Sequence, residues 1–111
     1  MAQRKHKLFR KVDSTEVQGE GSYVILCAMT YGDSKAYFNR ITSDDKSEQY
    51  QVGNELLIKM VHEWNWVDDD GKPLPLPKDD PSVLDSMPIE EIVFLSNELG
   101  AGIRRSQDSK N

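Results

Sequence analysis

Three groups of residues in this chain have types and spacings that could do chemistry. The first is the run WNWVDDDGKPLPLPKDDP, residues 64–81, with three aspartates before a glycine. A helix–loop–helix calcium site needs oxygen ligands at loop positions 1, 3, 5 and 12 and glycine at 6. Placing Gly71 at position 6 puts Trp66 at 1 and Pro77 at 12. Neither side chain can ligate, so that mechanism is excluded. The second group is His62-Glu63, which opens like the zinc motif HExxH. Position 66 is tryptophan, and zinc needs its second imidazole one helical turn on. His62 therefore reads as an exposed helix residue off the apolar stripe. The third is Cys27, the single cysteine. It lies in a strand that looks buried, where a thiol is usually an inert small core residue. Gly19 and Gly21 form a GxG with no helix after it, which does not make a dinucleotide site. No Walker loop, CxxC pair or GxSxG elbow is present. The expectation is a protein with no catalytic residues, no cofactor and no metal: not an enzyme.

Charge and size narrow the class. A chain of 111 residues, 37% hydrophobic and 30% charged, fits one small water-soluble domain. No apolar run approaches the ~18 residues of a spanning helix. The basic opening MAQRKHKLFRK is not followed by the apolar stretch of a signal peptide. A lone cysteine fits a reducing compartment, so the expected location is cytoplasmic. Arg4, Lys5, Lys7, Arg10 and Lys11 give residues 1–12 a charge of +5. With the chain at −5 overall, residues 13–111 carry −10. A basic arm can touch nucleic acid or an acidic partner, but the plain reading is a flexible, solvated terminus over residues 1–6. The acidic body speaks against nucleic-acid binding as the main task, because such affinity comes largely from phosphate neutralisation.

These residues need elements to hold them. KLFRKV (7–12) and SYVILCAM (22–29) read as strands, the second apolar enough to be buried on both faces. DSTEVQGEG between them reads as a long hairpin loop. Thr30 with Asp33 is a capping signal for a helix over 31–41 that sets Tyr37, Phe38 and Ile41 near one side. Ser43 or Asp44 can cap the next helix, in which Val52, Leu56, Met60 and Trp64 recur every four residues and Leu57 and Val61 widen the stripe. Gly53 is a flaw in it that can mark a bend or a close helix contact. Asp80-Pro81 suits the start of a turn of helix. Pro88 with Glu90 and Glu91 starts the last helix, with Ile89, Ile92, Val93, Leu95 and Leu99 apolar and Gly100 ending it. Residues 104–111 read as a disordered tail. The predicted fold is α+β: a short N-terminal hairpin or small sheet, then three to four helices, in a single domain over residues 7–103.

The opening stretch then reads as a turn. Asp70-Gly71 favours a tight reversal, and WNWV and KPLPLP can form a short ribbon around it. Pro73, Pro75 and Pro77 lack the N–H that a central strand needs, while Leu74 and Leu76 alternate with them and can both face the body. A helix stopping near Asn65 leaves Trp66 on the extended arm, free to fold back on the core. Aromatics of this size are more often core or clasp than binding site.

Glu63-Trp64-Asn65, the segment from Asp68 to Pro75, and Pro88 to Glu91 together resemble the small tail assembly chaperones of long-tailed bacteriophages and prophages. The resemblance extends over about residues 22–100. One departure is Met87, which stands where a Thr or Asp cap precedes the helix-starting proline. What the resemblance implies is a non-enzymatic factor that holds the helical tape measure protein in solution, helps recruit tail tube subunits, self-associates, and is absent from the finished particle. A groove between amphipathic helices would cover the partner's apolar stripe, and Leu56, Met60, Trp64, Trp66, Ile92 and Leu95 are its candidate partner-binding residues. The plain reading of Leu56, Met60 and Trp64 is ordinary core at the same spacing. A structural tail or connector subunit is the alternative function, and a small nucleic-acid-binding regulator using the basic arm is a third.

Overall fold

The computed structural model describes the backbone of residues 1–108 and the side chains of residues 1–100. Strand β1 (Phe9–Asp13) and strand β2 (Tyr23–Cys27) form an antiparallel hairpin around a short helix α1 (Thr15–Gln18). Helices α2 (Tyr31–Ile41) and α3 (Lys46–Met60) follow, then strand β3 (Val61–Trp64), a one-turn helix α4 (Val83–Ser86) and the long helix α5 (Ile89–Asp108). The sheet order is β1-β2-β3, antiparallel throughout. The expected α+β class is the observed one: a small sheet with helices.

Registers place Arg10 beside Leu26, Val12 beside Val24, and Val24 beside Trp64. Side chains alternate across a strand, so these residues share the core face with Val61. Packed on that face are Leu57 of α3, Val83 and Leu84 of α4, Met87 and Leu95. The other face, with Tyr23, Ile25 and Cys27, is half-buried. β2 is thus buried on one face rather than two, and Cys27 is a half-covered residue of the outer face rather than part of the core. Its thiol is pushed up in pKa mainly by that partial burial, with Asp33 adding to the shift and Lys59 opposing it.

The connection 14–22 is ordered, not a loose loop. Ser14 N–H donates to the Ser22 carbonyl at 3.2 Å, and Gly19, at φ 94°, turns the chain from α1 toward β2. A positive φ is strained for any residue bearing a Cβ, which accounts for glycine there.

α2 begins as its capping signal predicts. Thr30 Oγ1 accepts from Asp33 N–H and Thr30 N–H donates back to Asp33, at 3.1 and 3.0 Å. Its apolar side does not reach the core: Asp33 is its buried residue, Tyr37 is half-covered, and Phe38 and Ile41 are exposed. Polar pairs tie α2 to α3. Arg40 grips Glu48 and both oxygens of Glu55, and Lys59 pairs with Asp33. These contacts hold Asp33 and Glu55 below the usual carboxylate range and raise Arg40 and Lys59.

α3 departs from its predicted bounds at both ends. Its cap is Asp45, whose side chain accepts from Ser47 N–H at 2.9 Å, rather than Ser43 or Asp44. It stops at Met60, five residues before Asn65. The reason lies in β3. Ile25 pairs with Glu63 but Leu26 pairs with Val61, so His62 is an extra residue in a β-bulge. In a regular strand, residues three apart face opposite ways; the extra residue restores Val61 and Trp64 to the same face. Their spacing of three imitates a helix. His62 is exposed, as expected, but on this strand, with its ring 4.6 Å from that of Phe9. Gly53 lies inside α3, and a Cβ built on it meets nothing within 4 Å, so it marks no close contact.

α5 runs through Gly100, which does not end it, and residues 104–108 continue the helix. Glycine inside a helix costs about 1 kcal/mol, and the helix formers Ala101, Arg104 and Arg105 after it favour continuation. Residues 109–111 of the expected tail lie outside the described residues.

Candidate partner-binding surfaces

The centre of the molecule is the stretch after β3. On extended chain, Trp64 and Trp66 lie on one side, and their rings stack at 4.7 Å with planes 4° apart. Phe94 of α5 meets Trp66 edge-on at 6.2 Å. Trp66 has no exposed surface. Its indole N–H donates to Ser14 Oγ at 2.9 Å, Ser14 donates to Ser22 Oγ at 2.6 Å, and Ser22 donates to the Gly19 carbonyl at 2.7 Å. Each hydroxyl gives one bond and takes one, so a buried polar chain is fully satisfied. Trp64 donates its N–H to the Leu74 carbonyl at 3.1 Å.

The predicted turn and ribbon are present. Gly71, at φ 79°, donates to the Asp68 carbonyl at 3.0 Å, and Asp68 N–H bonds the Lys72 carbonyl at 2.8 Å. Leu74 N–H returns to the Trp66 carbonyl at 2.9 Å. The prolines remove every second N–H of the return arm, and of the donors left at Leu74 and Leu76 the ribbon uses that of Leu74. Leu74 and Leu76 pack against the core, and Pro77 is fully buried. Asp68 Oδ1 accepts from Asp70 N–H and Lys72 N–H, both at 2.9 Å. The first acid of the run shapes the turn.

Asn65 and Gln18 join this ribbon to the hairpin. Asn65 accepts from Tyr23 N–H at 2.9 Å and donates to the Gly21 carbonyl at 3.1 Å. The Gln18 amide pairs with both backbone groups of Val67, at 3.0 and 3.1 Å, as a neighbouring strand would. It also donates to Glu91, whose carboxyl is largely buried at the start of α5. Burial raises the Glu91 pKa; the Gln18 bond opposes the shift, and Asp69 and Glu90 add to it. Beside these residues lies an open groove of about 630 Å³, lined by Val17, Leu74 and Met87 and by the acids Asp68–Asp70 and Glu91. Among the described residues, no group of three or more His, Cys, Asp or Glu side chains is placed to hold a metal ion.

The six candidate partner residues divide. Met60, Trp64, Trp66 and Leu95 are interior, each 8% exposed or less. They are buried and cannot meet a partner while the fold is closed. Leu56 and Ile92 are half-buried. The buried side of α3 is Val52, Leu57 and Met60, and Trp64 of the expected stripe stands on β3. The exposed apolar side chains stand elsewhere. Ile89 and Val93 are 67% and 47% exposed on α5. At 100° per residue they sit one above the other, while Leu95 lies about 200° round from Val93, against the core. Ile92 borders the pair. Phe38 on α2 and Tyr50 on α3 are also exposed. An apolar pair at i and i+4 opposite a buried stripe is the signal by which the sequence could have separated the two faces.

Met87, the departure noted in the sequence, is buried before α5. It packs with the core residues instead of capping the helix. The Pro88 carbonyl accepts the first helical N–H groups, from Glu91 and Ile92, and Glu90 complements the helix dipole. The cap of α4 falls at Ser82, which makes no side-chain cap bond, rather than at Asp80; the Asp80 carboxylate accepts from Ser82 N–H at 3.2 Å just ahead of the helix.

No family model, curated protein or solved structure matches this chain. No helix among the described residues is long and apolar enough to cross a membrane.

Proposed function

We propose that this protein is a non-enzymatic tail assembly chaperone that binds the tape measure protein during the building of a long bacteriophage tail. The observation that carries the reading is the pattern Glu63-Trp64-Asn65, Asp68 to Pro75 and Pro88 to Glu91. Its parts meet in one unit: the tryptophan clasp, the Asp-Gly turn and the start of α5. The unit holds α5 with Ile89 and Val93 turned outward and Ile92 at their border. An outward apolar stripe of this kind suits an amphipathic partner helix, which needs its own stripe covered until assembly. On this reading the protein acts in the cytoplasm of the bacterial host, self-associates, helps recruit tail tube subunits and leaves before the particle is complete.

The test is co-expression with the tape measure protein of the same genome. The chaperone should move that protein from the insoluble to the soluble fraction. No gain in solubility rejects the proposal. Stoichiometric presence in purified particles, measured by mass spectrometry, would instead make it a structural tail or connector subunit.

A further inference from the structure

Among the described residues, β1 is an edge strand with no strand paired on its outer side. Ala28 N–H donates to the Leu8 carbonyl at 2.6 Å and Ser14 N–H to that of Ser22 at 3.2 Å. Between them Arg10 faces Leu26 and Val12 faces Val24. Bonded pairs recur at every second residue of an antiparallel ladder, so Leu8, Arg10, Val12 and Ser14 turn their backbone groups to β2. Phe9, Lys11 and Asp13 therefore direct theirs outward, and all three side chains are exposed. β2 is the element packed along β1, while α5 reaches it through the Arg10–Glu98 pair.

Open edges invite strand addition, and this one has a strong sign. Arg4, Lys5, Lys7, Arg10 and Lys11 precede any acid in the chain. Arg10 is engaged by Glu98, which leaves Arg4, Lys5 and Lys7 just ahead of the strand and Lys11 on it, where Lys11 also lies 4.5 Å from the Tyr23 ring. Leu8 and Phe9 are 41% and 49% exposed between them. We propose that the free edge of β1 takes an extended acidic segment of a partner protein as a fourth strand, with carboxylates opposite Lys7 and Lys11 and an apolar side chain beside Phe9. A second copy of the chain fits poorly. The antiparallel register that overlaps two β1 strands along their full length sets Lys11 against Lys11, and like charges directly opposed destabilise a pair. The site is distinct from the α5 stripe, so either can fail alone.

The test uses the ¹⁵N-labelled full chain and two capped hexapeptides at millimolar concentration, one alternating glutamate with valine and the other lysine with valine. The glutamate peptide should slow amide exchange at Phe9, Lys11 and Asp13 at least fivefold, and the lysine peptide should not. Lys11→Pro removes an outward N–H that the fold does not use, and should weaken binding at least tenfold. A Lys7→Glu/Lys11→Glu variant leaves the backbone untouched and should reverse the peptide preference. No slowing, equal response to the two peptides, or an unreversed preference in the double variant overturns the proposal. Slowing that depends on protein concentration without peptide would assign the edge to a second copy and equally overturn it.

Discussion

The buried chain from Trp66 through Ser14 and Ser22 to Gly19 makes a quantitative prediction. Ser14→Ala removes the acceptor 2.9 Å from an indole N–H that has no exposed surface. An orphaned buried donor costs about 1–3 kcal/mol. Trp66→Phe removes the donor as well as volume. At about 24 cal/mol per Å³, an unfilled space of roughly 40 Å³ costs about 1 kcal/mol, and the lost hydrogen bond adds about 1 kcal/mol. Phe94 and Trp64 pack against that ring from two sides, which limits how far the space can close. In the double variant the orphaned donor no longer exists. Its destabilisation should fall short of the sum of the singles by about 1.5 kcal/mol, a coupling typical of residues in direct contact. Urea unfolding followed by far-ultraviolet circular dichroism measures all four proteins without relying on tryptophan emission. Against a total stability of about 5–15 kcal/mol, each change is resolvable. Additivity within about 0.4 kcal/mol would mean that the two residues act independently, and the account of the ribbon as locked to the hairpin through this chain would be wrong.

Three other expectations concern single sites. Gly53→Ala should raise stability by up to about 1 kcal/mol, because the site is helical and an added methyl meets nothing within 4 Å; a loss in thermal unfolding would reveal a contact the fold lacks. Thr30→Ala deletes half of the capping box and should cost about 1 kcal/mol. Because α2 buries no apolar residue, amide exchange should speed up in α2 ahead of global unfolding, and uniform acceleration would show that α2 is part of the core unit. Glu91 has a folded pKa above its unfolded value, so its neutral form favours the fold. The stability it contributes is full below the ordinary glutamate pKa and is lost as pH rises through the raised value. Glu91→Gln should therefore stabilise at neutral pH and flatten the pH dependence of urea midpoints just above the ordinary carboxylate range; destabilisation at pH 7 would contradict the sign.

How much of the fold is legible in the sequence differs from residue to residue. Thr30 with Asp33, and Asp70 with Gly71, are legible because capping and tight turns depend on side chains acting on their own backbone neighbours. Leu74 and Leu76 are legible because the prolines leave few alternatives. β3 is hidden because a bulge at His62 gives Val61 and Trp64 a helix-like spacing of three, and local spacing carries no sign of the partner strand that sets the register. Gly100 misleads as a helix end, since a glycine after an apolar run is tolerated inside a helix when Ala101, Arg104 and Arg105 beyond it favour continuation. The interior position of Met60, Trp64, Trp66 and Leu95 is hidden for a related reason. Val52, Leu57 and Met60 are the buried side of α3, and a helical side facing the chain's own core and one facing a partner have the same period. The packing of Leu95 and Phe94 inward places Ile89 and Val93 outward, as the i, i+4 spacing of that pair opposite Leu95 could have signalled.

The central claim is that the outward stripe of α5 holds a helical tail protein. It is tested most directly by affinity capture of the co-expressed tape measure protein with the wild-type chain and with Ile89→Glu/Val93→Glu, a change at two exposed positions that should leave the unfolding midpoint nearly unmoved. The account predicts capture by the wild type and at least a tenfold loss with the double variant. Equal capture by both would remove the binding face from α5, and no capture by either would contradict the chaperone reading itself.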